Sequence, residues 1–157
     1  MKADDRFVVL MGMLLNELEN ASESVDVPVA AIVLDEDSNI LSKGFNRRVE
    51  LNDPVAHAEM EAIKNAGQKM QNWRLDNCTL ISTLEPCQMC AGAIVQSRIK
   101  RVVFGATEPK SGSISTLNNS FRELNPNIEI IGGVLEKQSG EILRKWFATR
   151  RSDDDKI

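Results

Sequence analysis

Two short clusters carry the side chains able to do chemistry: His57-Ala58-Glu59 and Glu85-Pro86-Cys87-Gln88-Met89-Cys90. His57 is the one histidine among 157 residues. Imidazole and thiolate are ligands that zinc accepts readily, and three of them leave a fourth tetrahedral position for a water. Cys87 and Cys90 stand one helical turn apart, so both sulfurs can address one point. A bound zinc would acidify that water to near neutral pH. Glu59 could take the proton released and pass it to a leaving group.

Each cluster opens a predicted helix. His57 and Glu59 would be about 200° apart around a straight helix, so they cannot share a site on its flank. They can share one beyond its N-terminal end, where the second helix also begins. Two helix N-termini converging there favour anions and help keep both thiolates deprotonated.

The elements that must position these clusters follow from hydrophobic patterning. Asp4 to about Ala21 reads as a helix burying Phe7, Leu10, Met11, Leu14, Leu15 and Leu18. Val27 to Leu34 is a continuous apolar run, the mark of a strand covered on both faces. A polar turn at Asp35 to Asn39 leads to a second strand, Ile40 to Asn46, and the two form a hairpin. Asp53-Pro54 supplies a cap and a first-turn proline for a helix ending near Gly67. Strands are expected at Thr79 to Leu84, Arg101 to Gly105 and Ile128 to Ile131, with helices at about Cys87 to Ser97 and Ser139 to Arg151. The closing helix carries Ile142, Leu143, Trp146 and Phe147 on one stripe. This order predicts an α/β fold, a three-layer α/β/α sandwich around a mixed sheet of about five strands, with residues 1–157 as a single domain.

Composition narrows the class. Apolar residues at 42% and charged residues at 27% are ordinary for a globular chain. The net charge of −4 alone does not suggest a nucleic-acid binder. Its distribution is more informative, because residues 1–41 hold nine acids against Lys2 and Arg6, leaving 17 bases against 14 acids afterwards. A local basic surface is therefore open to the later part of the chain. Asp4 and Asp5 spoil the basic leader that a signal peptide needs before Phe7 to Leu15, and no segment has the ~18 apolar residues of a membrane span. A cytoplasmic chain with no membrane partner is expected, where clustered cysteines read as metal-binding or catalytic rather than disulfide-forming.

Rival readings of the cysteines are weaker. A redox Cys-x-x-Cys pair has no use for His57-Ala58-Glu59, and a closed structural zinc site needs a fourth ligand. Cys78 is the remaining thiol, and its place at the edge of a strand suits packing. The full pattern, His-x-Glu followed by Pro-Cys-x-x-Cys, is the signature of zinc-dependent deaminases.

The sequence further resembles the bacterial tRNA-specific adenosine deaminases from about Val27 to Arg151. The resemblance rests on Val27-Pro28-Val29, Gly44-Phe45-Asn46-Arg47, Asp53-Pro54-Val55-Ala56-His57-Ala58-Glu59 and Asn72-Trp73-Arg74-Leu75. It continues through Thr83-Leu84-Glu85-Pro86-Cys87-Gln88-Met89-Cys90-Ala91-Gly92-Ala93 and Arg101-Val102-Val103-Phe104-Gly105-Ala106. It implies a cytidine deaminase-like fold, one Zn2+ per subunit on His57, Cys87 and Cys90, and Glu59 as the catalytic proton carrier. It also implies hydrolysis of adenosine to inosine at the wobble position of a tRNA anticodon stem-loop by a cytoplasmic homodimer. Asn46, Ala58, Val27, Leu84 and Pro86 would then meet the base, while Glu108, Lys110, Phe147 and Arg150 would face the anticodon loop. Two other classes stay open: a small-molecule deaminase acting on guanine or a pyrimidine, and a non-catalytic zinc protein. Retention of Glu59 speaks against the second.

Overall fold

The structure is a computed structural model that describes residues 3–21, 23–108, 112 and 125–154. Five strands form one mixed sheet in the order β2-β1-β3-β4-β5, with β1 at Ala30–Leu34, β2 at Ile40–Phe45, β3 at Thr79–Leu84, β4 at Arg101–Ala106 and β5 at Glu129–Ile131. β1 pairs antiparallel with β2 and β3, whereas β3, β4 and β5 run parallel. Five helices accompany it among the described residues: α1 at Ala3–Asn20, α2 at Arg48–Leu51, α3 at Ala58–Met70, α4 at Gln88–Gln96 and α5 at Glu136–Asp154.

Period-two alternation divides the core into two leaves. Ala31, Val33, Leu80, Val102 and Phe104 face Ala62 and Ala66 of α3 and Ala91 and Ile94 of α4. Ala30, Ile32, Leu34, Ile81 and Val103 face the other way, onto the six apolar residues of α1 anticipated from sequence, with Ile142 of α5 packed beside them. The expected three layers are thus α3 and α4, the sheet, and α1 with α5. Every residue of β1 is buried, as its unbroken apolar run required.

Two boundaries differ from expectation in a way that matters for the site. The helix anticipated from Asp53 begins only at Ala58. Asp53 instead accepts the Val55 backbone N–H at 3.0 Å, closing a local turn that competes with helix formation. The unanticipated short helix α2 forms because Asp26, itself buried, reaches across to accept N–H bonds from Val49 at 2.7 Å and Glu50 at 3.1 Å. That cap comes from 23 residues earlier, so no local pattern announces it.

Candidate active site

Strand direction explains how residues distant in sequence meet. β3 runs toward Leu84, and α4 begins a few residues later. β1 is antiparallel to β3, so its leading end, preceded by Val27, lies at that same edge of the sheet. β2 is antiparallel to β1 and delivers Asn46 there, with Asn46 N–H bonded to the Val29 carbonyl at 3.1 Å. Both α3 and α4 point their N-termini at this edge. The site therefore forms beyond the carboxyl end of a parallel strand, the usual crevice of an α/β sheet.

His57 is the N-cap of α3 and Cys87 the N-cap of α4, both with extended backbone. Their carbonyls accept the first helical bonds, from Glu61 and Ala91, but neither side chain caps its helix. The side chains turn to each other instead. Nδ1 of His57 lies 3.5 Å from Sγ of Cys87 and 3.5 Å from Sγ of Cys90, and the two sulfurs are 3.8 Å apart. Among the described residues this is the one group of three or more His, Cys, Asp or Glu side chains close enough to share a metal ion.

The spacing can be tested against zinc. Tetrahedral bonds of about 2.3 Å to sulfur and about 2.0–2.1 Å to nitrogen require sulfurs roughly 3.8 Å apart, each roughly 3.5 Å from the nitrogen. The observed triangle has those edges. The electrostatics agree in direction, because the hydrogen bond shared with Cys90 holds the Cys87 thiol well below the usual thiol range, while the same bond and burial push Cys90 up. A divalent cation at the shared focus would be held by both sulfurs as thiolates. The hydrogen bond with Cys87 also raises His57.

Glu59 stands against this triangle. Its Oε2 accepts a bond from the Cys90 thiol at 3.5 Å, and its Oε1 accepts one from the Ser82 hydroxyl at 2.8 Å. Glu59 is 4% exposed. Burial pushes its pKa above the ordinary carboxylate value, against the opposing pull of its hydrogen bonds and of His57. A carboxyl raised in this way is a better proton acceptor than an ordinary carboxylate.

A pocket of about 200 Å³ opens onto the triangle. It is lined by Val27, Asn46, His57, Ala58, Glu59, Leu84, Cys87, Glu108 and Phe147, all singled out from the sequence. Cys90 is fully buried behind them. Pro86 is also buried and does not line the pocket. Arg150 is drawn elsewhere: its Nη2 donates to the Ser24 carbonyl at 2.7 Å and its guanidinium sits 4.8 Å over the Trp146 ring. Lys110 lies outside the described residues. Cys78 is buried in the core on the α3 side, where burial raises its thiol, and takes no part in the ligand triangle.

Sequence reasoning missed Val29, Arg48, Glu85 and Leu143 as pocket walls, and Ser82 as the partner of Glu59. Ser82 did leave a signal, since a hydroxyl that alternates with Leu80 and Leu84 on one face of a buried strand needs a hydrogen-bond partner. Asn46 is also more constrained than its sequence context shows. Its Nδ2 donates to the Val27 carbonyl at 3.1 Å, which fixes the amide orientation and leaves Oδ1 buried without a partner.

Comparison with known proteins agrees with this geometry. A family model for the cytidine and deoxycytidylate deaminase zinc-binding region matches residues 5–106. A tRNA-specific adenosine deaminase from Haemophilus influenzae is 42% identical over 140 residues, covering 87% of this chain and 81% of that protein. A solved structure of a tRNA:A34 deaminase, studied for A-to-I editing at the wobble position, superposes with a TM-score of 0.75 and 36% identity over 85% of this chain and 97% of that one. A guanine deaminase from Nitrosomonas europaea shares the fold at a TM-score of 0.76, with 24% identity over 94% of this chain and 86% of that one. By its zinc-ligand triangle, the buried carboxyl beside it and these relatives, the chain belongs to the cytidine and deoxycytidylate deaminase family, among the bacterial tRNA-specific adenosine deaminases.

Proposed function

We propose that this protein hydrolyses adenosine to inosine at the wobble position of a tRNA anticodon stem-loop, releasing ammonia. One observation carries the chemistry: a buried Glu59 carboxyl against a His57–Cys87–Cys90 triangle whose edges suit zinc. The relatives reported above support the choice of tRNA over a free base.

His57, Cys87 and Cys90 would hold a zinc ion, which when bound would supply Lewis-acid activation of a water. Glu59 then does the proton work, taking a proton at Oε2, the oxygen facing the triangle, and returning it to the departing amine. Val27, Leu84, Leu143 and Phe147 form apolar walls that exclude bulk water from a flipped base. Asn46 Oδ1 is a buried acceptor waiting for a donor, and an exocyclic amine or a ribose hydroxyl meets that need. Glu108 and Phe147, at the pocket wall, are assigned to the nucleotide, and Lys110 to the loop phosphates. The tie of Arg150 to Ser24 assigns it first to holding α5 in place.

The reading includes a cytoplasmic homodimer acting as a single deaminase domain. Val49, Leu51 and Val55 are exposed apolar residues, close in sequence, that contact with a second copy would cover. Among the described residues no helix is long and apolar enough to cross a membrane. Incubation with tRNA bearing a wobble adenosine, followed by sequencing for inosine, tests the assignment. Inosine at that position supports it, and turnover of free guanine or cytidine with unaltered tRNA contradicts it.

A further inference from the structure

The face of β3 that looks onto α3 presents Leu80, Ser82 and Leu84 in turn. Ser82 is fully buried, and its register partners are Ala31 on β1 and Phe104 on β4, both buried and apolar. A hydroxyl in such surroundings is costly unless it is bonded. Its bond goes to Oε1 of Glu59 at 2.8 Å, across 23 residues of sequence.

We propose that Ser82 is a positioning residue for proton transfer: by fixing Oε1 of Glu59, it makes Oε2 the oxygen turned toward His57, Cys87 and Cys90. This rests on the assignment of Glu59 as proton carrier. A carboxyl group is free to turn about its last bond, and only held from one side does it keep a chosen oxygen on the reacting atoms. Glu59 needs that restraint because its backbone sits in the first turn of α3, one residue beyond the start of the helix, and among the described residues Ser82 is the side chain that holds Oε1. The strand supplies the rigidity, since Ser82 lies mid-strand between two hydrogen-bonded neighbours. The effect falls on the proton step, because Ser82 does not line the pocket that receives the base.

The test uses Ser82→Thr and Ser82→Val, which have nearly the same shape and differ in whether a hydroxyl is present. Ser82→Ala removes the hydroxyl without adding volume, and Glu59→Gln runs alongside. For each, kcat and KM are measured on an anticodon stem-loop with wobble adenosine, together with zinc content and thermal unfolding. S82V and S82A are expected to lower kcat by about 10- to 100-fold, the worth of a hydrogen bond to a charged group, with KM within about 2-fold and one zinc per chain retained. S82T should stay within about 3-fold of the unaltered protein on the same basis. Equal kcat in S82T and S82V, or loss of zinc in S82V, overturns the proposal while an inactive E59Q leaves the Glu59 reading standing. A near-normal rate in E59Q overturns both.

Discussion

His57 and Cys87 hold the same structural position on two different helices. Each is an N-cap with extended backbone, each keeps its side chain out of the cap, and Nδ1 of one lies 3.5 Å from Sγ of the other. A Ser or Asp in either place would satisfy free helical amides and contribute about 1 kcal/mol. The chain forgoes that contribution twice and turns two helix N-termini onto one point, where their dipoles favour the anionic sulfurs.

Metal content follows directly. The purified protein should carry one zinc per chain, and Cys87→Ala or His57→Ala should lose most of it, since removing a ligand opens a site with three protein donors. Cys78→Ala should keep its zinc, because Cys78 packs in the core apart from the triangle. Elemental analysis of the three variants decides the matter, and zinc loss from Cys78→Ala would indicate a different ligand set.

Replacing Glu59 should separate chemistry from metal binding. Glu59→Ala is expected to retain zinc and to lose activity by about 10²- to 10⁴-fold, the range for a general acid–base group. A rate close to that of the unaltered protein would remove Glu59 from the mechanism.

Much of this was legible in the sequence, for reasons that can be located. Long apolar periodicities placed α1 and β1, and the two metal clusters announced themselves by residue type and spacing. The start of α3 was misplaced because Asp53 signals a cap locally, whereas its carboxylate closes a turn onto Val55. α2 was invisible because its cap, Asp26, belongs to a distant segment. Arg150 read as a loop-facing cation, yet its partners are Ser24 and Trp146, a pairing made only when α5 packs back across more than a hundred residues.

Gly44 should prove indispensable to the position of α3. A Cβ there would collide with the Ala58 carbonyl and come within 2.6 Å of the Ala62 nitrogen, both backbone atoms that cannot step aside. Gly44→Ala should destabilise the protein by about 1–3 kcal/mol and reduce bound zinc, because the helix it displaces begins at Ala58, directly after its N-cap His57. Gly12→Ala is the contrasting case: its Cβ would meet Leu135 at an ordinary 3.8 Å, within helix α1. A gain of about 0.4–1 kcal/mol is expected there, read from urea unfolding of both variants.

Asn46→Ala removes the one buried side-chain acceptor left without a partner among the described residues. Catalytic efficiency on RNA should fall by about 3- to 10-fold, the net worth of one neutral hydrogen bond, while zinc content stays the same. Unchanged kcat/KM would mean that the nucleotide makes no bond to this amide.

The central claim is that the pocket acts on adenosine presented by an anticodon loop. Its most direct test is kcat/KM, measured side by side for a stem-loop with wobble adenosine, free adenosine and free guanine. Loop contacts that hold the flipped base should favour the stem-loop by about 10²-fold or more over free adenosine. Guanine should not turn over. Efficient deamination of guanine, with no inosine formed in the stem-loop, would contradict the account.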